Sequence, residues 1–148
     1  MKQTSINILS VVGYLLMVAG ILLLYFTGGL FVYDPVVITL QVVAAALMLW
    51  ARITFGGRSF HLTAEPTEGG LVTTGPYRFV RHPIYSAVLL FAWSGLLGNF
   101  SLLNLCFDLV LLAGTFARIM CEEHLVRIQY PEYNQYAGKT KRLIPFLF

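Results

Sequence analysis

Long apolar stretches alternate with short polar segments along this chain of 148 residues. No charged residue lies between Gln3 and Tyr33. A helix over residues 8–27 would be about 30 Å long, which is enough to cross the hydrocarbon core of a bilayer. Residues 35–55 are apolar until Arg52 and predict a second membrane-spanning helix. Glycine and proline residues between the two stretches indicate a short turn.

The second half of the chain has one more apolar stretch, and it is too long for a single crossing. Residues 83–117 contain one charge, Asp108, and would extend about 52 Å as one helix. Gly98 and Asn99 provide a natural break in the middle. The pattern therefore predicts four spans, of which the third is short: 8–27, 35–55, 83–97 and 100–119.

Composition agrees with this pattern. The chain is 57% hydrophobic and 11% charged, whereas a soluble domain carries about 25% charged residues. Intrinsic disorder is excluded because it requires low hydrophobicity and high charge. The two cysteines are too few for a disulfide framework. The sequence therefore predicts an all-α integral membrane protein that forms a single domain over residues 1–148.

The positive charges indicate how the protein is oriented. With four spans, all ten lysine and arginine residues fall at the N-terminus, in segment 52–82 or at the C-terminal end that begins at Arg118. These regions share one side of the membrane, and the positive-inside rule places that side in the cytoplasm. The net charge of +3 does not indicate nucleic-acid binding, because the charged residues are few and the positive ones lie on one side of the membrane. We expect a multi-pass protein with both termini and any polar site at the cytoplasmic face, in contact with membrane lipids.

The first candidate for chemistry is the segment 69–85, which leads into the third span. Pro83 suits the first turn of a helix, where a missing N–H is no loss. His82 is therefore expected in an extended conformation beside free backbone N–H groups at a positive helix end. Such a place can receive a carboxylate or another polar group of a ligand. The alternative interpretation is an aromatic and basic anchor at the membrane interface.

The second candidate lies at the end of the fourth span. Arg118 and Glu122 are four residues apart and share a helix face, and Glu123 follows directly. Two adjacent glutamates could engage a cationic ligand, whereas the alternative is a solvated helix end with an ordinary surface pair.

Asp108 is an ionisable residue within the fourth span and lies about 21 Å from Glu122 along the helix axis. We interpret it as a packing or hydrogen-bonding residue, with Asn104 or another helix as its partner, rather than a catalytic one.

Neither a metal site nor a nucleotide-binding loop is predicted. His61 and His124 have no metal-ligating partners at suitable spacing, and there is no glycine-rich phosphate motif.

Taken together, the two candidates are more specific than either alone. The combination Arg81-His-Pro-x-Tyr85, an apolar helix pair and Glu122-Glu123 resembles the isoprenylcysteine carboxyl methyltransferase family and its phospholipid methyltransferase relatives. The tail segments 131–136 and 141–146 are also similar to the end of that family, so the resemblance covers residues 69–146. The chain departs from the family pattern at Ala87, where glycine is frequent, and at Tyr130-Pro131, where Phe-Gly is frequent.

The resemblance implies a membrane enzyme that uses S-adenosylmethionine, with its site formed by segments 69–85 and 118–146. It implies that Glu122 makes the main acidic contact with the cofactor and that Arg118 contacts the methyl acceptor, with Arg142 as a second candidate. The cofactor-binding residues it implies are Leu71, Val72, Tyr77, His82, Pro83, Ile84, Tyr85, Glu122 and Glu123.

The acceptor implied is a lipophilic small molecule or a lipidated compound, with the carboxylate of an isoprenylcysteine-like compound favoured. A phospholipid amine or a small thiol is an alternative acceptor and would need a base, for which Glu123, His124 and Tyr136 are possible.

Two other classes of protein also stay open. A nicotinamide-dependent membrane reductase would respond to reduced nicotinamide without methyl transfer. A non-catalytic membrane assembly protein would bind neither S-adenosylmethionine nor its demethylated product.

Overall fold

A computed structural model describes residues 3–56 and 70–145 of the chain. Within these ranges the protein consists of helices and contains no β-strand. The all-α prediction is therefore confirmed. The predictions for His61, Gly69 and Phe146 fall outside the described residues. The described residues contain five α-helices: α1 Gln3–Phe26, α2 Pro35–Phe55, α3 Pro83–Gly98, α4 Leu102–Gln129 and α5 Tyr133–Lys139.

Local sequence signals set the starts of the helices. The side chain of Asp34 accepts hydrogen bonds from the backbone N–H groups of Val36 and Val37, at 2.8 and 3.1 Å. These bonds satisfy donors that have no partner within α2. Ser101 caps α4 in the same way by accepting from the N–H of Asn104 at 3.0 Å. Helix α3 begins at Pro83, as the sequence predicts.

In the part of the chain that the structure describes, three helices, α1, α2 and α4, are long and apolar enough to cross a membrane. Helix α3 has 16 residues and is apolar but shorter, in line with the short third span expected from the sequence. Helix α4 continues to Gln129, ten residues beyond the predicted end of the fourth span. One continuous helix therefore joins the apolar interior to the two glutamates. The chain is an integral membrane protein of the all-α class.

Helix α1 packs antiparallel against α4, and glycines make the contact close. A Cβ atom on Gly13 would lie 2.9 Å from the carbonyl oxygen of Gly114, and one on Gly20 would lie 2.9 Å from the Cβ of Leu111. Side chains larger than hydrogen would separate the two backbones at these points. Helix α2 packs mainly against α3. The main apolar cluster lies among α1, α3 and α4 and includes Met17, Leu24, Leu30, Ala92 and Leu111.

Asp108 is fully buried in α4. Neither of its carboxylate oxygens has a hydrogen-bond partner within the described ranges. Asn104 instead accepts a hydrogen bond from Thr27 at 2.7 Å and donates one to the carbonyl of Asn99 at 3.2 Å. The complete burial of Asp108 agrees with its interpretation as a packing residue. The alternative, a hydrogen bond to Asn104 or another helix, is not found among the described residues, and Asn104 binds Thr27 and Asn99 instead.

The C-terminal tail returns to the start of α3. The backbone N–H groups of Arg81 and His82 donate to the carbonyls of Lys141 and Arg142, at 2.7 and 3.0 Å. The hydroxyl of Ser86 donates to the carbonyl of Leu143 at 2.6 Å. This short parallel pairing places the tail, the segment before α3 and the end of α4 together at one end of the bundle.

Candidate functional site

The first turn of α3 and the second half of α4 meet at this polar end. His82 precedes α3, and its Nδ1 lies 3.7 Å from Oε2 of Glu122 on α4. Tyr85, one turn into α3, donates a hydrogen bond from its hydroxyl to Oε1 of the same glutamate. The two candidate regions, which lie about 40 residues apart in the sequence, thus form one cluster. Glu122 keeps 25% of its side chain exposed, so an incoming group can reach it.

Arg118 completes this cluster from one turn earlier on α4. Its Nε donates to the hydroxyl of Tyr85 at 2.9 Å, and its Nη2 donates to Oε1 of Glu122 at 3.2 Å. Only 7% of the Arg118 side chain is exposed. The Tyr85 hydroxyl therefore accepts from the arginine and donates to the glutamate. A guanidinium held on two sides is pre-oriented rather than free to sample rotamers.

Glu123 faces a different set of partners and has 4% of its side chain exposed. Its carboxylate pairs with Arg81 at 3.1 Å, with Arg142 at 3.2 Å and with Arg127 at 3.4 Å. These arginines come from the segment before α3, from the tail and from α4 itself. Buried charges in proteins are normally paired in this way. Glu123 therefore joins three parts of the chain, while its neighbour Glu122 lies on the more open side.

The His82 ring lies between the two glutamates. Its Nε2 is 3.4 Å from Oε1 of Glu123, but the direction of approach does not make a hydrogen bond, and this buried nitrogen has no hydrogen-bond partner among the described residues. An unsatisfied buried polar atom is unusual. The backbone N–H of His82 donates to the carbonyl of Arg142. The ψ angle of His82 is 57°, so the extended conformation expected from the sequence is wrong for this residue. In the first turn of α3, the backbone N–H groups of Ile84 and Tyr85 have no acceptor inside the helix.

The segment before α3 carries the other predicted cofactor contacts. Tyr77 is buried, its ring centroid is 5.5 Å from that of Phe55, and its carbonyl accepts from the Tyr136 hydroxyl at 2.7 Å. Gly75 adopts a left-handed conformation, with φ of 56°, and packs against Thr54. Leu71 and Val72 are half-buried in irregular backbone upstream of this turn. Pro83 is buried and Ile84 is half-buried at the start of α3.

The possible bases differ in what they can do. Burial raises the pKa of Tyr136 to about 12, so this phenol keeps its proton at neutral pH, and it already donates to Tyr77. Burial also raises the pKa of Tyr77. His124 is exposed on another face of α4. No group of three or more histidine, cysteine or acidic side chains with metal-binding geometry occurs in the part of the chain that the structure describes.

Sequence reasoning missed the roles of Arg81 and Ser86. Besides pairing with Glu123, Arg81 donates from Nη1 to the carbonyls of Ala137, at 2.9 Å, and Thr140. It therefore fastens the tail to the start of α3. The position of Arg81 directly before His82 was the one feature of the sequence that could have indicated this role. Arg142, predicted to contact the acceptor, lies against Glu123 at a half-buried position.

The fold and this cluster define a small helical membrane protein whose charged residues converge where a short apolar helix begins. The chain belongs to the isoprenylcysteine carboxyl methyltransferase (ICMT) family, because the family's sequence model matches residues 36–128. Helix α1 lies outside the matched range, whereas α3 and all but one residue of both α2 and α4 lie inside it.

Two curated proteins are similar to this chain. One is the nickel-cobalt-cadmium resistance protein NccN of Alcaligenes xylosoxydans xylosoxydans, which is 33% identical over 67% of this chain and 43% of its own length. The other is the cobalt-zinc-cadmium resistance protein CzcN of Cupriavidus metallidurans, which is 30% identical over 77% of this chain and 51% of its own length. The chain thus spans about half the length of the curated relatives it matches. No solved structure matches it significantly.

Proposed function

We propose that this protein transfers a methyl group from S-adenosylmethionine to a lipophilic acceptor delivered by the membrane. The acceptor we favour is the carboxylate of an isoprenylcysteine-like compound. The observation that carries the proposal is the convergence of His82, Tyr85, Arg118 and Glu122 at one end of the bundle. Membership of the methyltransferase family supports the same chemistry.

The residues present fit the methyl donor. S-adenosylmethionine supplies, when bound, a methyl group on a positively charged sulfur, together with an ammonium, a carboxylate and ribose hydroxyls. The partly exposed carboxylate of Glu122 suits an ammonium or a hydroxyl donor. The His82 ring, whose Nε2 makes no hydrogen bond among the described residues, and the first-turn N–H groups of α3 offer further polar contacts. Tyr77 and the half-buried Leu71 and Val72 provide apolar surface on the same segment.

Arg118 is the residue that we assign to the acceptor. A guanidinium recognises a carboxylate with good geometry and strong, charge-assisted hydrogen bonds. Holding the acceptor in line with the reacting methyl group contributes much of the rate in a displacement of this kind. Tyr85 and Glu122 fix the orientation of Arg118 from the cofactor side.

The candidate bases favour a carboxylate acceptor over an amine or a thiol. A carboxylate is already ionised at neutral pH and needs no base, whereas an ammonium or a thiol must lose a proton. Glu123 is enclosed by three arginines, His124 faces away, and Tyr136 is a protonated hydrogen-bond donor. None of these three is well placed to remove a proton from an acceptor.

Calorimetry with the demethylated product, S-adenosylhomocysteine, tests the cofactor half of the proposal. We expect Glu122→Ala and His82→Ala each to weaken binding about tenfold or more, which corresponds to the loss of one charge-assisted contact. The half-exposed Arg127→Ala is the matched control and should leave the affinity unchanged. Wild-type affinity in both site variants would contradict the proposed pocket.

The acceptor half is tested by incubating the protein with a labelled methyl donor and a membrane extract, followed by mass analysis of the methylated products. We expect a lipophilic carboxylate to become a methyl ester. Arg118→Ala should reduce this turnover more than it reduces binding of S-adenosylhomocysteine. Oxidation of reduced nicotinamide without any methyl transfer would contradict the proposal and favour a reductase.

A further inference from the structure

We infer that Tyr14 on α1 is a specificity residue for the acceptor. Its ring covers the outward-facing side of Arg118, which is the side from which a membrane-delivered carboxylate approaches. This inference rests on the proposed methyl transfer and adds a residue that lies outside the part of the chain matched by the family model.

The first observation is the contact between the two side chains. The guanidinium carbon of Arg118 lies 5.5 Å from the centroid of the Tyr14 ring, within the range of a cation–π interaction. Tyr14 is 38% exposed, whereas the Arg118 side chain is 7% exposed. The ring thus shields the arginine on the side of α1 and presents its other side to the surroundings of the bundle.

The second observation is the close approach of the helices at this level. A Cβ atom on Gly13 would lie 2.9 Å from the carbonyl oxygen of Gly114 and 3.1 Å from Cγ of Arg118. Glycine at this position lets α1 come near enough for the next residue, Tyr14, to cover the guanidinium. A larger residue would move the ring away from it.

The surroundings indicate the chemistry of the acceptor. Val11, one turn before Tyr14 on the same helix face, is an exposed apolar residue on a helix long and apolar enough to span the membrane. A molecule that approaches along this face meets apolar surface first and a fixed positive charge behind the Tyr14 ring. That order suits a carboxylate attached to a hydrophobic chain.

Arg118 therefore has two sides with different functions. Tyr85 and Glu122 hold it from α3 and α4, next to the proposed cofactor site, whereas Tyr14 contacts it from α1. A change at Tyr14 should alter recognition of the acceptor and leave cofactor binding intact. A purely structural role for Tyr14 would affect both.

The test uses the full chain in lipid nanodiscs and two probes, N-acetyl-S-farnesyl-cysteine and its methyl ester, which lacks the negative charge. Binding of each probe and of S-adenosylhomocysteine is measured for the wild type, Tyr14→Ala and Tyr14→Phe. Tyr25→Ala is the matched control, because Tyr25 is another exposed tyrosine of α1 and its ring contacts are with Phe26 and Phe31.

We expect the wild type to bind the acid more tightly than the ester. Tyr14→Ala should weaken binding of the acid about fivefold and leave the ester unchanged, since the ring stabilises the cation that recognises the charge. Tyr14→Phe keeps the ring and should behave as the wild type, and so should Tyr25→Ala. All variants should bind S-adenosylhomocysteine with wild-type affinity.

Three results would overturn the inference: Tyr14→Ala binding the acid as the wild type does, an equal loss for acid and ester, or a wild type that does not distinguish the two probes. Each of these results leaves the proposed methyl transfer intact as long as the wild type binds S-adenosylhomocysteine. If the wild type fails to bind that product, the proposed function itself fails.

Discussion

At the scale of single residues, the two adjacent glutamates have different surroundings. Consecutive residues of a helix point about 100° apart, so Glu122 turns toward Tyr85 and Arg118 while Glu123 turns toward the tail. The difference in exposure, 25% against 4%, follows from these directions. We therefore propose that Glu122 contacts the ligand and that Glu123, which the resemblance also placed among the cofactor-binding residues, acts instead as a positioning residue that fastens the tail beside the site.

Two arginines that pair with Glu123 provide a test of this positioning role. The side chain of Arg81 is 8% exposed and that of Arg127 is 46% exposed. Arg81→Ala should destabilise the protein by about 3 kcal/mol, because it removes a buried, charge-assisted hydrogen bond to Glu123 together with two hydrogen bonds to carbonyls of the tail. Arg127→Ala removes an exposed i,i+4 pair and should change stability by less than about 1 kcal/mol.

Hydrogen exchange of residues 137–143 and thermal unfolding measure these effects. The tail amides of the Arg81→Ala variant should exchange faster, since the carbonyls of Ala137 and Thr140 lose their donor. Equal protection of the tail in both variants would show that Arg81 does not fasten it.

At the scale of helices, the α1–α4 contact depends on backbones that touch. A Cβ atom on Gly114 would lie 2.6 Å from the carbonyl oxygen of Gly13, so one helix must shift to admit a methyl group. Arg118 lies one turn further along the same helix. The packing of α1 against α4 therefore sets the position of the site's arginine relative to Tyr14.

We expect Gly114→Ala to destabilise the protein by about 2 kcal/mol, the size typical of overpacking in a closely packed interior. Gly138→Ala is the control, since a Cβ atom there meets nothing within 4 Å. Alanine is also the better helix former in α5, so the control should be neutral or slightly stabilising. The unfolding temperatures of the two variants and the wild type are measured in detergent. An unfolding temperature for Gly114→Ala equal to that of the wild type would argue against a tight α1–α4 contact.

At the scale of the whole molecule, several polar parts of the chain share one end of the bundle. The thiol of Cys121 lies 3.6 Å from the carbonyl of Ile6, which brings the start of α1 to the level of the charged cluster on α4. The tail and the segment before α3 lie at the same end. This arrangement agrees with the sorting of lysine and arginine residues along the sequence.

The placement of this end in the cytoplasm stays a prediction of the positive-inside rule. Reporter fusions test it. Green fluorescent protein fused after Phe148 should fluoresce, and alkaline phosphatase inserted in the turn between α1 and α2 should be active, because that turn would face the other side. The reverse pattern of the two reporters would place the candidate site on the opposite face of the membrane.

Much of the fold could be predicted from the sequence because its signals are local. Apolar stretches without charges indicated the spans, and Pro83 marked the start of α3. The proximity of His82 and Glu122, expected from the family resemblance, is found in the structure, whereas their roles in ligand binding stay a prediction. Of the two roles considered for Asp108, its burial agrees with packing, and no hydrogen bond is found among the described residues, because the sequence does not specify which neighbour Asn104 engages.

The sequence by itself determined that this chain is a helical membrane protein with its charges gathered in a few segments, because hydrophobicity and helix-start signals act over a few neighbouring residues. Only the tertiary structure decided which glutamate is enclosed by arginines, how the tail is fastened by Arg81 and which residue of α1 covers Arg118. These features depend on side chains far apart in sequence and on glycine contacts that let two helices approach, and no local pattern specifies such distances.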